Sequence, residues 1–573
     1  MRNGLVLVVV IAALCSWAVA EDKAPSVLGW RGDGTGRYPD ASPPVTWSRI
    51  PKSPVHDLRF QAAKPEGSDT GEKAKPVVDG FVTDWLVIGP YPAKATGTAS
   101  MVDEAKVMPA AGDKTGDLEW KLHEYPQTRK PWEGCQSDWV DFKKTFDFGE
   151  DQAAYAHAYL YAQTGGKATL IVNHGEGAKV WFNGELKYDA QKVAFTPDYN
   201  LTWFFTEMAA ASTAPRFDVE FKKGWNRILF KVNSGKKDWK FTIKVTVVAD
   251  TEYESKNIAW VTKLPAKSLS TPVIVGDKIF VTSEPDEVIC LDRFAGKILW
   301  RRATTYWHAV PEQERTANPL FKEMEPILPQ LEATSSFWDE RLPLQRKLQD
   351  LLWKVDKKRF PWSKFYHLNS VGFTTPTPVT DGEFIYLYFG HGVVTCFDFD
   401  GNRKWAQLVT DMPGAGENEG NNVVSPTIVD DKLIIFRGWA RAFDKKTGKV
   451  VWDTGVISPE PATEGDGKGK VDFHSNQSIV VGTVGDTKVA FCFKGRAIRV
   501  SDGKVLQRKM LQQRNVAATP IVVGDRIFHT DGYIEKFKLD LKGDELQLVS
   551  EGKARVTDGK MASSLFTVGR VAQ

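Results

Sequence analysis

The chain has 573 residues, with 75 basic and 72 acidic side chains and a formal net charge of +3 at neutral pH. That balance argues against a surface built to hold a polyanion, so nucleic acid is not an expected partner. Apolar residues make up 42%, as in ordinary globular proteins, and the length suffices for two or more domains.

At the N-terminus, Arg2 precedes an unbroken apolar run from Leu5 to Leu14, and Ala18-Val19-Ala20 places small residues just before Glu21 and Asp22. This pattern predicts a secretory signal peptide over 1–20, cleaved near Ala20. The run is shorter than the roughly 20 apolar residues of a membrane span. Leu14 precedes Cys15 where a lipoprotein carries a small residue. No later stretch reads as a transmembrane segment, so the mature chain is expected to be extracytoplasmic, periplasmic or secreted. Beyond the signal, Cys135, Cys290, Cys396 and Cys492 are widely spaced and show no metal-ligand spacing. Cys290 and Cys396 hold equivalent places in two repeats and read as small apolar strand residues.

Residues 21–48 contain LGWRGDGTGRYPDASPPVTWS, and 49–79 are charged, carry Pro and Gly and are poor in apolar residues, so they read as a linker. Residues 80–250 hold the runs WLVIG, AYLYAQ, ATLIVN, KVWFNGELKY, FDVEF, RILFKVN and FTIKVTVV. Short β-rich runs separated by turn residues predict an all-β sandwich. Asn183-Gly184 is a strong hairpin turn within it. Of its many tryptophans, Trp181 and Trp225 read as packing residues. Trp132 and Trp203 fall near loops and are the candidates for stacking on sugar rings.

Residues 251–573 repeat. TPVIVGDKIFVTSEPDEVICLDRFAGKILW, TPTPVTDGEFIYLYFGHGVVTCFDFDGNRKW and SPTIVDDKLIIFRGWARAFDKKTGKVVW each run from Ser/Thr-Pro through strands to an Asp–Gly turn and end on Trp. Asp292, Gly296 and Trp300 align with Asp444, Gly448 and Trp452; Asp398, Gly401 and Trp405 follow with a turn one residue shorter. The Asp starts a turn, the Gly supplies its positive φ, and the Trp is placed to pack on a neighbouring repeat. Two weaker copies carry Gln507 and Gln547 in the Trp place. The period fits a four-stranded propeller blade. Residues 303–365 interrupt the repeats with apolar residues at helical spacing, which predicts a short helical excursion. The last residues, KMASSLFTVGRVAQ, resemble the opening of a further blade, so the propeller is expected to be incomplete or the chain truncated.

The pattern apolar-Asp-x-x-x-Gly-Lys-x-x-Trp, as in CLDRFAGKILW and AFDKKTGKVVW, resembles the PQQ-like repeat of quinoprotein alcohol dehydrogenases. Non-enzymatic relatives share it, including the propeller lipoprotein of the outer-membrane barrel-assembly machinery. The resemblance implies a PQQ-like β-propeller over roughly 251–573. The segment at 21–48 resembles the opening of exported proteins of this family, which makes 80–250 an insertion. VWFNGE and FKKGWNRILFKV resemble galactose-binding-like jelly rolls. Dehydrogenases of the family use an adjacent cysteine pair and acidic and amide calcium ligands. No two cysteines here are adjacent, and no segment matches those ligand signatures, so PQQ with calcium is unsupported by motif and no cofactor is expected. His123-Glu124 lacks a second His at zincin spacing, and no nucleophile elbow or phosphate loop occurs. His391 and His474 lie near propeller loops and read as surface or hydrogen-bonding residues; the acidic loops 416–421 and 464–470 read as solvated turns. No catalytic, cofactor or metal residue is assigned. The expected function is an exported, non-enzymatic binding or scaffold protein with a protein or glycan partner. The alternatives are a PQQ-dependent oxidoreductase and a carbohydrate-processing protein targeted by the sandwich.

Overall fold

The computed structural model describes residues 28–29 and 44–555, apart from 124–139, 191–214, 361–372, 411–423, 456–477, 508–518 and several shorter breaks. The signal segment, Trp132, Trp203, Cys135, His474, both acidic loops and the last 18 residues lie outside the described residues. The described chain is β-rich and forms two compact units. The first is Pro44–Ile258; the second takes chain from both sides of it, with Leu28 paired to Thr380 and the rest running from Ala259 onward.

In the first unit, two antiparallel sheets share one apolar core. The smaller sheet has the order Arg216–Phe221, Gly166–His174, Lys240–Thr246, Val140–Asp141. The larger is built around Gln152–Ala162, whose sequence QAAYAHAYLYA alternates small and aromatic residues. Ala154, Ala156, Ala158 and Leu160 face the shared core, where they leave room for Trp85, Phe230 and Phe241. Tyr155 on the opposite face joins Trp120 and Trp181 in a second core. Asn183-Gly184 forms the expected hairpin turn, both residues at positive φ (52° and 88°).

Residues 49–79 are not a bare linker. Ser48–Pro51 pairs with Tyr253–Lys256, Arg59–Gln61 pairs with the central strand, and Lys75–Pro76 pairs with Arg59–Gln61. Leu58 and Phe60 are buried in the main core. The segment has few apolar residues, but these sit at alternate positions on one strand face, which average composition conceals.

The second unit holds five four-stranded antiparallel sheets, each strand pairing with the next in sequence. Blade 1 spans Val273–Ala303, blade 2 Val379–Leu408, blade 3 Thr427–Asp453, blade 4 Val480–Gln507 and blade 5 Ile521–Arg555. Cys290 and Cys396 are buried on third strands, as expected of small apolar residues, and burial pushes the Cys290 thiol up to about 12.

Each repeat tryptophan seats on the turn of the following blade. Trp300 lies against Gly401, Trp405 against Gly448 and Trp452 against Gly503, where a Cβ on the glycine would come within 2.8, 2.5 and 2.7 Å of the ring. Each indole N–H donates to a carbonyl of the same turn: Phe399 O at 2.9 Å, Lys445 O at 2.9 Å and Val500 O at 2.8 Å. Trp260 makes the same contact on Gly296 ahead of blade 1. A glycine is required at each turn twice over, by its positive φ and by the ring beside it.

The aspartates that open these turns accept backbone N–H bonds. Asp398 Oδ1 takes Asn402 N at 2.8 Å and Oδ2 takes Lys404 Nζ at 2.8 Å. Burial works against this charge, but Lys404 and Asn402 more than offset it and hold the carboxyl at about 2. A depressed carboxyl contributes stability above its unfolded value, about 3.9, and loses it as pH falls toward the folded value. The Asp398→Asn variant should therefore flatten the fall in urea midpoint between about pH 4 and pH 2, by at most about 1 kcal/mol because Lys404 is exposed.

Candidate functional site

In a four-strand meander, the 1–2 and 3–4 turns lie at one end, and the 2–3 hairpin and the exit to the next blade lie at the other. The first end carries the tryptophan seats. The second carries a buried polar or charged residue in every blade: Glu284, Asp286 and Glu287 in blade 1, His391 in blade 2, Arg437 in blade 3, Arg496 in blade 4 and His529 in blade 5. All follow or interrupt strongly apolar strands. They are aligned because each sits at or beside the hairpin between the second and third strands of its blade.

The helical excursion packs over this end at blades 1 and 2. It comprises Glu312–Ala317, Pro319–Met324, Ile327–Ala333 and the longest helix, Leu342–Asp356. Asn318 caps the second of these by accepting Leu320 N, with Pro319 in the first turn. Phe321, Met324, Ile327, Leu331, Leu348, Leu351 and Leu352 are buried. Arg346, Lys347, Asp350 and Lys354 face water on the longest helix, and Glu312, Lys322 and Glu323 on the shorter ones.

Beneath the helices lies a buried ionic cluster. Arg341, fully buried just before the longest helix, donates to Asp286 Oδ1 at 2.9 Å and lies 3.4 Å from Glu287 Oε1. Its Nη1 also donates to Leu331 O at 2.8 Å. Arg301 holds Glu287 with two bonds, at 2.8 and 3.1 Å. Burial opposes the charge on Arg341, but Glu287 and Asp286 outweigh it and raise its pKa. Burial pushes the Glu287 carboxyl up, and Arg341 and Arg301 pull it back. Two guanidiniums thus face two carboxylates in the cluster. Glu284 accepts Phe373 N and Thr374 N, both at 3.0 Å, and so fixes the chain where it re-enters blade 2.

His391 completes the site. Its Nε2 donates to Thr304 O at 3.0 Å, its ring stacks on Tyr306 with centroids 5.0 Å apart, and Tyr306 OH donates to His391 O at 2.8 Å. Burial pushes its pKa down, against the pull of Asp286, so the ring is neutral at neutral pH. Asp286, Tyr306, Gln345, Leu348, Leu352 and His391 line a small pocket with room for roughly one water. A tricyclic quinone does not fit there, and among the described residues no group of three His, Cys, Asp or Glu side chains is placed to hold a metal ion.

The sequence expectations meet this site unevenly. Asp292, Gly296, Trp300, Asp398, Gly401, Trp405, Asp444, Gly448 and Trp452 are structural and lie at the opposite end. His391 is a hydrogen-bonding residue but a buried one. In the first unit Trp181 is buried and Trp225 donates to Asp69 O at 2.9 Å, so both are packing residues. Sequence reasoning missed Glu284, Asp286, Glu287 and Arg341. A signal for the acids existed: each repeat breaks its apolar run with a polar residue at the same place, as in KIFVTSEPDE, FIYLYFGHG and KLIIFRG. Arg341, outside the repeats, had none.

Residues 227–318 and 349–534 match the family model of outer membrane protein assembly factor BamB. No curated protein matches the chain in sequence. Similar solved structures include BamB from Moraxella catarrhalis, 17% identical over 52% of this chain and 67% of that one, with a TM-score of 0.30. A europium-containing methanol dehydrogenase is 10% identical over 54% of this chain and 61% of that one, with a TM-score of 0.26. A GH31 alpha-xylosidase from Xanthomonas citri is 13% identical over 37% of this chain and 17% of that one, with a TM-score of 0.18. The family match and five four-stranded repeats, four of them locked through tryptophan on glycine, make the second unit a PQQ-like β-propeller repeat region.

Proposed function

We infer that this protein is an exported, non-enzymatic scaffold that binds a protein partner at the helix-covered end of its propeller region. One observation carries the reading. The buried carboxylates at that end are committed to Arg301, Arg341 and the backbone N–H groups of Phe373 and Thr374, where the chain re-enters blade 2. Among the described residues, the outcome is a fixed, charged outer surface over blades 1 and 2. The matched family is named for outer membrane protein assembly, which makes an outer-membrane protein the partner class to test; this step is analogy of fold.

The experiment is fluorescence anisotropy of a labelled, urea-unfolded outer-membrane β-barrel protein titrated with the mature chain. Saturable binding is expected, weakened at least about tenfold by Arg346→Glu with Lys347→Glu and Lys354→Glu, a change of about 1.4 kcal/mol, with thermal stability unchanged. A parallel titration with PQQ plus calcium tests the oxidoreductase alternative. A cofactor at 100 times its dissociation constant stabilises by about 2.7 kcal/mol, so a clear thermal shift without binding of the barrel protein overturns the scaffold reading. A glycan panel accompanies both, and binding abolished by Trp132→Ala or Trp203→Ala would assign glycan recognition to the first unit.

A further inference from the structure

We propose that an exposed ionic latch stands in place of a tryptophan seat between blades 4 and 5, and that blade 5 opens as a separate unit more readily when salt screens that latch. Three observations support this.

The first is the missing seat. Blades 1, 2 and 3 each send a tryptophan onto the next blade's turn, and Trp260 does so ahead of blade 1. At the seam between blades 4 and 5, Gln507 stands where the tryptophan would be. The receiving turn has changed with it. Lys542 pairs directly with Glu545 around Gly543-Asp544, a two-residue hairpin, and a Cβ on Gly543 would meet nothing within 4 Å.

The second is what occupies that edge of the seam. Arg499 of blade 4 reaches Asp544 of blade 5 at 2.6 Å and holds Asp502 with bonds of 2.9 and 2.6 Å. Lys504 also pairs with Asp544. The two blade-4 cations thus converge on one blade-5 carboxylate. All four side chains are partly open to solvent, with Asp544 and Lys504 about half exposed. Such pairs are weak and respond to ionic strength, whereas an indole seated on glycine does not.

The third is that, among the described residues, the apolar core packing of blade 5 lies on its blade-4 face. Ile527, Leu539 and Leu546 face blade 4 and pack with Val489, Phe491 and Leu506. The opposite face carries the Arg526–Glu551–Lys536 ion pairs, and Val523 and Val549 are exposed. Blades 2 and 3 are packed on both faces. A unit whose described residues make fewer buried contacts, and which carries an ionic lock, belongs to the low-stability end of a structure.

The test is hydrogen exchange with mass spectrometry on the full chain in about 0.01 M and about 1 M NaCl. Amides of Arg526–Thr530 and Tyr533–Lys542 should exchange at least about tenfold faster than those of Lys432–Arg437 and Trp439–Asp444. Raising the salt should speed blade 5 by a further factor of about three and leave blade 3 unchanged. Asp544→Asn, an exposed substitution that keeps the hairpin, should show at low salt the rates the unaltered protein shows at high salt. Exchange of blade 5 in step with blade 3 overturns the proposal, as does a fast blade 5 that responds to neither salt nor Asp544→Asn.

Discussion

Replacing Trp405 by alanine should lower the unfolding free energy by about 3–5 kcal/mol, the cost of removing a large, buried aromatic ring. The ring is buried between blades, stacks near Phe443 and Tyr386, covers Gly448 and donates its N–H to Lys445 O. Its removal takes away packing on both sides of one seam and orphans the carbonyl. Trp405→Phe keeps most of the apolar contact and loses the hydrogen bond, so it should cost about 1–2 kcal/mol. The glycine beneath offers the complementary measurement. Gly448→Ala meets two penalties, a φ of 70° and a Cβ 2.5 Å from the indole. Gly485→Ala meets only the first, since its φ is 59° and nothing lies within 4 Å. The left-handed conformation alone costs a non-glycine residue about 1–2 kcal/mol. Urea midpoints should therefore place Gly485→Ala near that value and Gly448→Ala clearly beyond it. Equal costs would mean that the ring shifts freely and that the seat contributes little.

These seats explain why so much of the propeller was legible in the sequence. An Asp–Gly turn and a tryptophan at fixed spacing are local features, and each writes one half of a contact whose other half recurs about one blade later. The repeat therefore spells out a long-range interaction in short-range text. Short β-rich runs such as AYLYAQ and ATLIVN and the Asn183-Gly184 turn disclosed the first unit for a similar reason, since strands and a two-residue turn are written in local sequence. Two things were not legible. Leu58 and Phe60 joined a core from a stretch whose composition reads as linker, because two well-placed apolar residues suffice to pin a strand. The charged site was hidden for a different reason. Asp286 and Glu287 read as hairpin residues, and Arg341 reads as a solvated helix-flanking cation. Only the packing of the excursion onto blade 1, 55 residues apart in sequence, turns them into buried partners. No local pattern records such a pairing.

That pairing sets the second large effect. Arg341→Met should destabilise the propeller unit by about 3–5 kcal/mol, because a buried pair broken on one side leaves an uncompensated charge. Asp286 would lose its guanidinium and keep the Gln345 amide, which donates to Oδ1 at 3.0 Å, with the His391 ring 4.0 Å from Oδ2. Glu287 would keep Arg301 alone. The direction with pH follows from the sign of the remaining push. Burial already drives the Glu287 carboxyl upward, and Arg341 is the first of the charges that pull it back. With Arg341 gone, the folded state binds a proton more tightly than the unfolded chain. An acid raised in the folded state contributes stability at low pH and loses it as pH rises, so the penalty of Arg341→Met should be smaller near pH 5 than near pH 8. The double variant Arg341→Met with Asp286→Asn removes one charge of each sign and should recover at least half of the loss, since a neutral amide needs no counter-charge. Thermal unfolding at both pH values, with limited proteolysis of residues 303–365, reads both effects. A pH-independent penalty that Asp286→Asn fails to relieve would show that Arg341 acts through packing of its arm and its bond to Leu331 O, not through the cluster it joins.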